Sequence, residues 1–474
     1  SPVSYLTATP PKPDARLGFG SALTGRTLVL SRDGNTLAVA APEENNGTGA
    51  VYVFPRTRAG APWQQQASLA ASNASAYDNF GFSLAISGDG NTLAVTAPRE
   101  DSSARGLDGP QASDDAEDSG ASYVFARTGV TWRHQAYVKA SNTDAGDQFG
   151  WSVTLSDDGN TMVVGASTEG SNARGVNGNQ ADNSAANAGA AYVFSRSRTT
   201  WTQSAYLKGR QTDAGDLFGF CVDLSADANT LAICGYDEDG GVPGVNGNEA
   251  DNSKNGSGCV YVFVREAGVW RQTTYLKQSN LNHPQDAFGS TIALSGDGRT
   301  LVVDAADEDG EVGGINGLQY AGEQDPDHSD GALYVFVNTN GTWTQQAYIK
   351  SSNIGTNDLF GLRLAITRDG NTLVATSMLQ KGGGQGTSAD PRDRTGDESG
   401  AVYVFTRSGT TWTERAYLKA PNAQPYDEFG SAAAVSGDGN TLAVAAWGED
   451  GGSSGVGGNQ ADNSVRSSGA VYVY

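Results

Sequence analysis

Five acidic residues recur at one place in a repeated loop. Glu169 opens EGSNARGVNGNQADN, Glu238 opens EDGGVPGVNGNEADN and Glu449 opens EDGGSSGVGGNQADN, while Glu100 (EDSSARGLDGPQASD) and Glu308 (EDGEVGGINGLQYAG) open looser copies. Each acid stands seven residues before an apolar residue, followed by Gly and then Gln or Glu, and three copies add Asp182, Asp251 and Asp462 at matching places. Ca²⁺ takes about six to eight oxygen ligands. A carboxylate pair with Asn side chains and free loop carbonyls could supply such a cage, so these eight residues are the calcium candidates. The competing reading is a loop folded by Asx-turns and glycines without an ion, because duplicated loops share spacing either way.

Other groups depart from the surrounding pattern. An Asp stands two residues before a Phe-Gly pair at Asp78, Asp147, Asp216, Asp286, Asp358 and Asp427, with Leu17 at the first copy. The expected role is to cap a turn by accepting backbone N–H groups, with ligand binding as the alternative. Asp304 and Arg363 fall at strand positions held elsewhere by small residues. An unpaired charge buried there would be costly, so an ion pair between neighbouring repeats is expected. Cys221, Cys234 and Cys259 occur in one repeat, and counting out from the turn at 226–229 makes Cys221 and Cys234 cross-strand neighbours, with Cys259 near Cys234. Small-residue packing and one disulfide with an odd thiol, which would suit an oxidising compartment, both fit. No Cys-x-x-Cys spacing supports zinc. His134, His283 and His328 lie in different repeats without a nucleophile motif, which argues against an enzyme.

The element that positions these groups is DQFGWSVTLSDDGNTMVV, Asp147 to Val164, two short strand-like runs around a Gly/Asn/Asp turn and therefore a hairpin. Its Phe-Gly returns at Phe19, Phe80, Phe149, Phe218, Phe288, Phe360 and Phe429, spaced 61 to 72 residues apart. A period of this size with several strands per copy predicts an all-β, seven-bladed β-propeller with four-stranded blades. Strand A follows Phe-Gly, B follows the turn, C carries Tyr-Val-Phe or Tyr-Val-Tyr, and D follows a Trp at Trp63, Trp132, Trp201, Trp270, Trp343 and Trp412. The seventh D strand is missing at the C-terminal end, but Val3-Ser4-Tyr5-Leu6-Thr7-Ala8 resembles one. One domain over 1–474 is expected, with 1–9 the outer strand of blade 7, blades 1–6 at about 14–426, and 427–474 the inner three strands of blade 7. Closing the ring leaves no exposed blade face. Most B–C loops exceed twenty residues, whereas blade 1 has only Pro42 to Gly49, which predicts a wide loop-bearing face with a notch.

The net charge is −22 and 63 of 474 residues are Gly. Such a surface repels nucleic acid and anionic membranes and favours cations or basic partners. No apolar run is long enough to span a bilayer, and no signal peptide is visible at Ser1, although a cleaved one would leave no trace.

Phe-Gly repeats with a B strand ending in Ala-Pro (Ala41-Pro42, Ala97-Pro98) resemble FG-GAP repeats, the units of the integrin α-subunit propeller and of many bacterial secreted proteins. Gly-Ala-Pro has decayed to Gly165-Ala166-Ser167 and Ala445-Ala446-Trp447. The resemblance implies adhesion or ligand binding outside the cell, often with Ca²⁺ in the A–B turn. Here that turn reads Ser87-Gly88-Asp89-Gly90-Asn91, too poor in acids for the family's calcium loop, and is expected to be a hairpin without an ion. The expected function is an extracellular or cell-surface module that binds a protein or glycan through an acidic loop face stiffened by Ca²⁺. The alternatives are a secreted polysaccharide lyase or hydrolase working at the channel mouth, and a structural part of a surface assembly. The Trp and Tyr of strand D, recurring once per blade, are expected to pack rather than bind sugars.

Overall fold

The computed structural model describes all residues except 1–3, 21–24, 282–285, 309, 311, 320–328 and 354. His283 and His328 therefore lie outside the described residues. The described residues form seven four-stranded antiparallel sheets, one per repeat. Blade 3 serves as the type: strand A is Phe149–Leu155, B Thr161–Ala166, C Ala190–Ser197 and D Thr200–Leu207, in that order across the sheet. The chain closes as expected. Ser4–Leu6 pairs with Ala470–Val473, placing Tyr5 opposite Tyr472 and completing the sheet of Phe429–Val435 and Leu442–Ala446.

The repeated residues earn their places by burial. Phe149 packs edge-on against Tyr192 and Phe194, centroids 5.4 and 6.0 Å away, and other blades repeat the contact. Such pairs add about 0.5–1.5 kcal/mol beyond the area they bury. The Gly of Phe-Gly has a steric reason as well. Gly150 has φ +100°, and a Cβ there would lie 2.8 Å from the Ala121 carbonyl oxygen of the preceding blade. Trp63, Trp201, Trp270, Trp343 and Trp412 are buried, and the guanidinium of Arg196 lies over Trp201, 5.2 Å from the ring. The strand D tryptophans are packing residues, as expected.

The A–B turns gather around the axis. In each, the turn Asp accepts hydrogen bonds from the preceding Ser or Thr hydroxyl and the following N–H, as Asp89 does from Ser87 (2.6 Å) and Asn91 (3.0 Å). Backbone bonds then run from blade to blade: Arg32 N–H to Gly88 O, Gly88 to Asp157, Asp157 to Ala226, Ala226 to Gly296, Asp297 to Arg368, Arg368 to Gly437, and Gly437 back to Arg32. This circle of peptide hydrogen bonds draws the turn end of the axial channel closed. Arg32 and Arg368, from blades 1 and 6, both hold the carboxylate of Asp157 in blade 3. A cavity of about 200 Å³ lies behind them, where Arg26 pairs with Asp223 at 3.3 Å. The B–C and D–A loops surround the other end of the channel. Among the described residues no helix is long and apolar enough to cross a membrane.

Candidate functional site

The loop glutamates lie under the loops rather than on them. Glu100, Glu169, Glu238, Glu308 and Glu449 are at most 3% exposed. Four of them meet a lysine from the end of strand D: Lys139–Glu100 at 2.7 Å, Lys208–Glu169 at 3.1 Å, Lys277–Glu238 at 2.8 Å, and Lys350–Glu308. The hydroxyls of Tyr137, Tyr275 and Tyr348 donate to the same carboxylates. An Asn from the preceding blade often joins them, as Asn142 does by donating to Glu169 at 3.0 Å and to the Gln180 carbonyl at 2.9 Å. These carboxylates are the calcium candidates of the sequence; in the structure a lysine ammonium lies against four of them, and the cluster bolts the loop to strand D and to the neighbouring blade. Asp182, Asp251 and Asp462 lie apart in outer turns, where each accepts the N–H of the serine two residues on. Among the described residues no three His, Cys, Asp or Glu side chains converge as a metal site requires.

The inner repeat of these loops has its own cause. The apolar residue seven positions after each Glu forms an isolated bridge to the end of strand D, as in Leu107–Val138, Val176–Leu207, Val245–Leu276, Ile315–Ile349 and Val456–Leu6. The long loops are therefore pinned along the sheet edge.

Two of the blades with long B–C loops break the ion-pair pattern. In blade 6 Gln380 replaces the Glu, so Lys419 donates to its carboxamide and to Ser399, and burial depresses the ammonium to about 8. In blade 7 Thr7 replaces the lysine, and Glu449 is held by Tyr5, Tyr472 and Asn422, its carboxyl raised by burial.

The Asp before Phe-Gly caps the D–A turn. Asp78, Asp147, Asp216 and Asp427 each accept the N–H of the residue three positions back, at 2.7–3.0 Å. Burial pushes all four up to about 7. Asp286 receives Gln278, and Asp358 is held bidentately by Arg394 at 2.8 and 2.9 Å.

Cys221 and Cys234 form a disulfide, and Cys259 is a buried free thiol, so the disulfide reading replaces simple small-residue packing. Asp304 and Arg363 are both buried but are served by other partners. Asp304 accepts the Ser290 hydroxyl and the Thr291 N–H, and burial raises it to about 8. Arg363 donates to the carbonyls of Ser431 (3.1 Å) and Leu362 (2.9 Å). The expected direct pair is thus an indirect one: each charge feels the other's field while separate wall groups hold it. His134 lies on strand D of blade 2 beside Tyr123 and Phe125, a packing position.

Sequence reasoning passed over the channel mouth. The residue after Phe-Gly varies between blades, and in blades 2, 3 and 4 it is Phe82, Trp151 and Phe220. Their rings touch in series, 5.0 and 5.8 Å apart, and Phe220 stacks on Tyr236 at 4.3 Å. Trp151 and Tyr236 are partly buried, and the indole N–H of Trp151 is buried with no partner among the described residues. Tyr236 stands where the family motif would place Pro, as does Trp447 across the mouth, whose ring lies under the Arg16 guanidinium at 4.7 Å. The same departure from register that singled out Asp304 would have found this crescent.

The FG-GAP repeat family matches residues 63–125, 132–194 and 412–474, each running from strand D of one blade through strand C of the next. The chain is an FG-GAP repeat propeller. No curated protein sequence matches it. Among solved structures, this FG-GAP propeller is similar to the β-propeller domain of Myceliophteria thermophila Cps50 (Swd1), at 10% identity and a TM-score of 0.50, covering 95% of this chain and 97% of that one. It is also similar to a periplasmic gluconolactonase of Pseudomonas aeruginosa, at 13% identity and a TM-score of 0.48, covering 84% and 86%. A third likeness is to Kuenenia stuttgartiensis hydrazine synthase, at 13% identity and a TM-score of 0.47, covering 90% and 93%. At such identities the likeness concerns the fold alone.

Proposed function

We propose that this FG-GAP propeller is an extracellular binding module that receives a protein or glycan ligand on its loop face. The observation that carries the reading is the aromatic crescent Phe82–Trp151–Phe220–Tyr236 at the loop end of the channel. Partly exposed aromatic rings such as Trp151 and Tyr236, backed by the buried Phe82 and Phe220, offer contact area on a rigid scaffold at little entropic cost. Loops bolted down by buried Lys–Glu pairs hold their shape before the ligand arrives, which lowers the ordering cost of binding. The Cys221–Cys234 disulfide fits an oxidising compartment.

The test is a glycan array and a basic-peptide array probed with wild type, Trp151→Ala and Tyr236→Ala. The expected result is at least a tenfold loss of affinity in both variants with the unfolding temperature preserved. Binding that is unaffected by either substitution would overturn the reading. Turnover of a polysaccharide, lost on the same substitutions, would make the protein a hydrolase or lyase instead.

A further inference from the structure

A second concave site lies away from the channel, at the seam of blades 2 and 3, in an open cavity of about 640 Å³. Its walls are the loop around Arg105, the D–A turn from Ser141 to Asp144, the loop around Gln180 and the strand D residue Gln203, with Phe194 in the floor. The polar groups are fixed by one another. Asp144 receives Arg105 at 3.4 Å and Asn183 at 2.8 Å. The Gln180 side-chain oxygen receives Ser141 and, at 3.4 Å, the Gln203 amide. The Gln203 side-chain oxygen is buried and has no donor among the described residues. Leaving such an acceptor unmet is costly, and a ligand can bring the donor the groove lacks.

The next seam shows what fills this place when the chain fills it itself. Between blades 3 and 4 the same frame recurs, with Arg174 and Asn252 on Asp213 at 3.1 and 3.0 Å. There Arg210 stands at the position of Ser141 and Glu249 at that of Gln180. The backbone N–H of Arg210 donates to the side-chain oxygen of Gln272, the counterpart of Gln203, at 2.9 Å, and the Gln272 amide donates to Glu249 at 3.0 Å. The Arg210 side chain reaches the Gln272 main-chain carbonyl and Glu249 and so lies across that seam. At the seam of blades 2 and 3 the Ser141 side chain stops at Gln180, and its backbone N–H does not meet the Gln203 side-chain oxygen.

We propose that the groove between blades 2 and 3 is a binding site for a neutral saccharide. Arg105 and Asp144 cancel, so the groove carries no net charge on a molecule of net charge −22, which selects against ionic ligands. Carboxamides, a hydroxyl and one guanidinium present donors and acceptors side by side, and sugar hydroxyls both donate and accept. A hydroxyl donating to Gln203 while its neighbour accepts from Arg105 would complete the groove as Arg210 completes the next one. The proposal extends the glycan arm of the binding reading to a site separate from the channel mouth.

The experiment is saturation-transfer NMR of the whole chain with methyl glycosides of glucose, galactose, mannose, fucose and N-acetylglucosamine, and with maltose and cellobiose. At least one sugar is expected to bind with millimolar or tighter affinity. Ser141→Arg, which copies the neighbouring side chain, and Gln203→Leu, which removes the unmet acceptor, should each weaken it at least tenfold. Absence of binding by every sugar overturns the proposal, as does binding that survives Ser141→Arg. Binding lost only in Trp151→Ala would overturn this groove while supporting the channel mouth.

Discussion

Lys419 donates to the side-chain oxygen of Gln380 at 3.1 Å, where the corresponding lysines of blades 2 to 5 meet a glutamate. The amide nitrogen of Gln380 is buried without a partner, so blade 6 holds a surplus of donors. Gln380→Glu removes the unpartnered amide and gives Lys419 a carboxylate. A hydrogen bond to a charged group contributes about 1.5–3 kcal/mol, and the expected gain at neutral pH is about 1–2 kcal/mol after desolvation. The converse change, Lys208→Met, leaves Glu169 buried without its cation and should cost about 3–5 kcal/mol. Urea unfolding of the two variants checks both signs.

Chelation tests the loops directly. With lysine ammonium groups on four of the five loop glutamates, EDTA is expected to leave the unfolding temperature within about 1 °C of its starting value. A ligand that binds the native state at a hundredfold excess over Kd stabilises by about 2.7 kcal/mol. A calcium-reversible fall of several degrees would show that these loops hold an ion after all.

The pH dependence should run against ordinary acid denaturation. Asp78, Asp147, Asp216 and Asp427 are raised by burial from 3.8 to about 7. Their folded pKa values lie above the unfolded ones, so the native state binds more protons between about pH 4 and 7. The cost of keeping them ionised is present above pH 7 and is relieved as pH falls through that window. Thermal melts are expected to show a midpoint rising by about 5 °C or more from pH 8 to pH 5.5. Asp147→Asn should reduce that slope, and a midpoint that falls over the same range would contradict the assignment.

The disulfide closes a short loop, Cys221 and Cys234 being 13 positions apart along the chain. Chain-entropy arguments for a loop of this size give about 3 kcal/mol. A Cys221→Ala, Cys234→Ala variant should lose about 2–3 kcal/mol in urea, whereas Cys259→Ala should have a much smaller effect. Equal losses in the two would mean that packing, rather than the cross-link, stabilises this blade.

The sequence by itself determined the number of blades, the order of their strands and the closure by Ser4–Leu6, because Phe-Gly, Tyr-Val-Phe and the turn signals return in the same order in each repeat. It also placed the Asp caps and made Cys221 and Cys234 cross-strand neighbours, both set by local strand register, while leaving packing or a disulfide open. Only the tertiary structure decided what Glu169 does. Its partner Lys208 is 39 residues away, and Asn142 belongs to another blade, so loop spacing alone could not separate an ammonium ligand from a calcium ligand. The channel mouth and the groove between blades 2 and 3 were hidden for the same reason. Each is built from single residues on separate blades, and their meeting depends on the ring bringing those blades side by side.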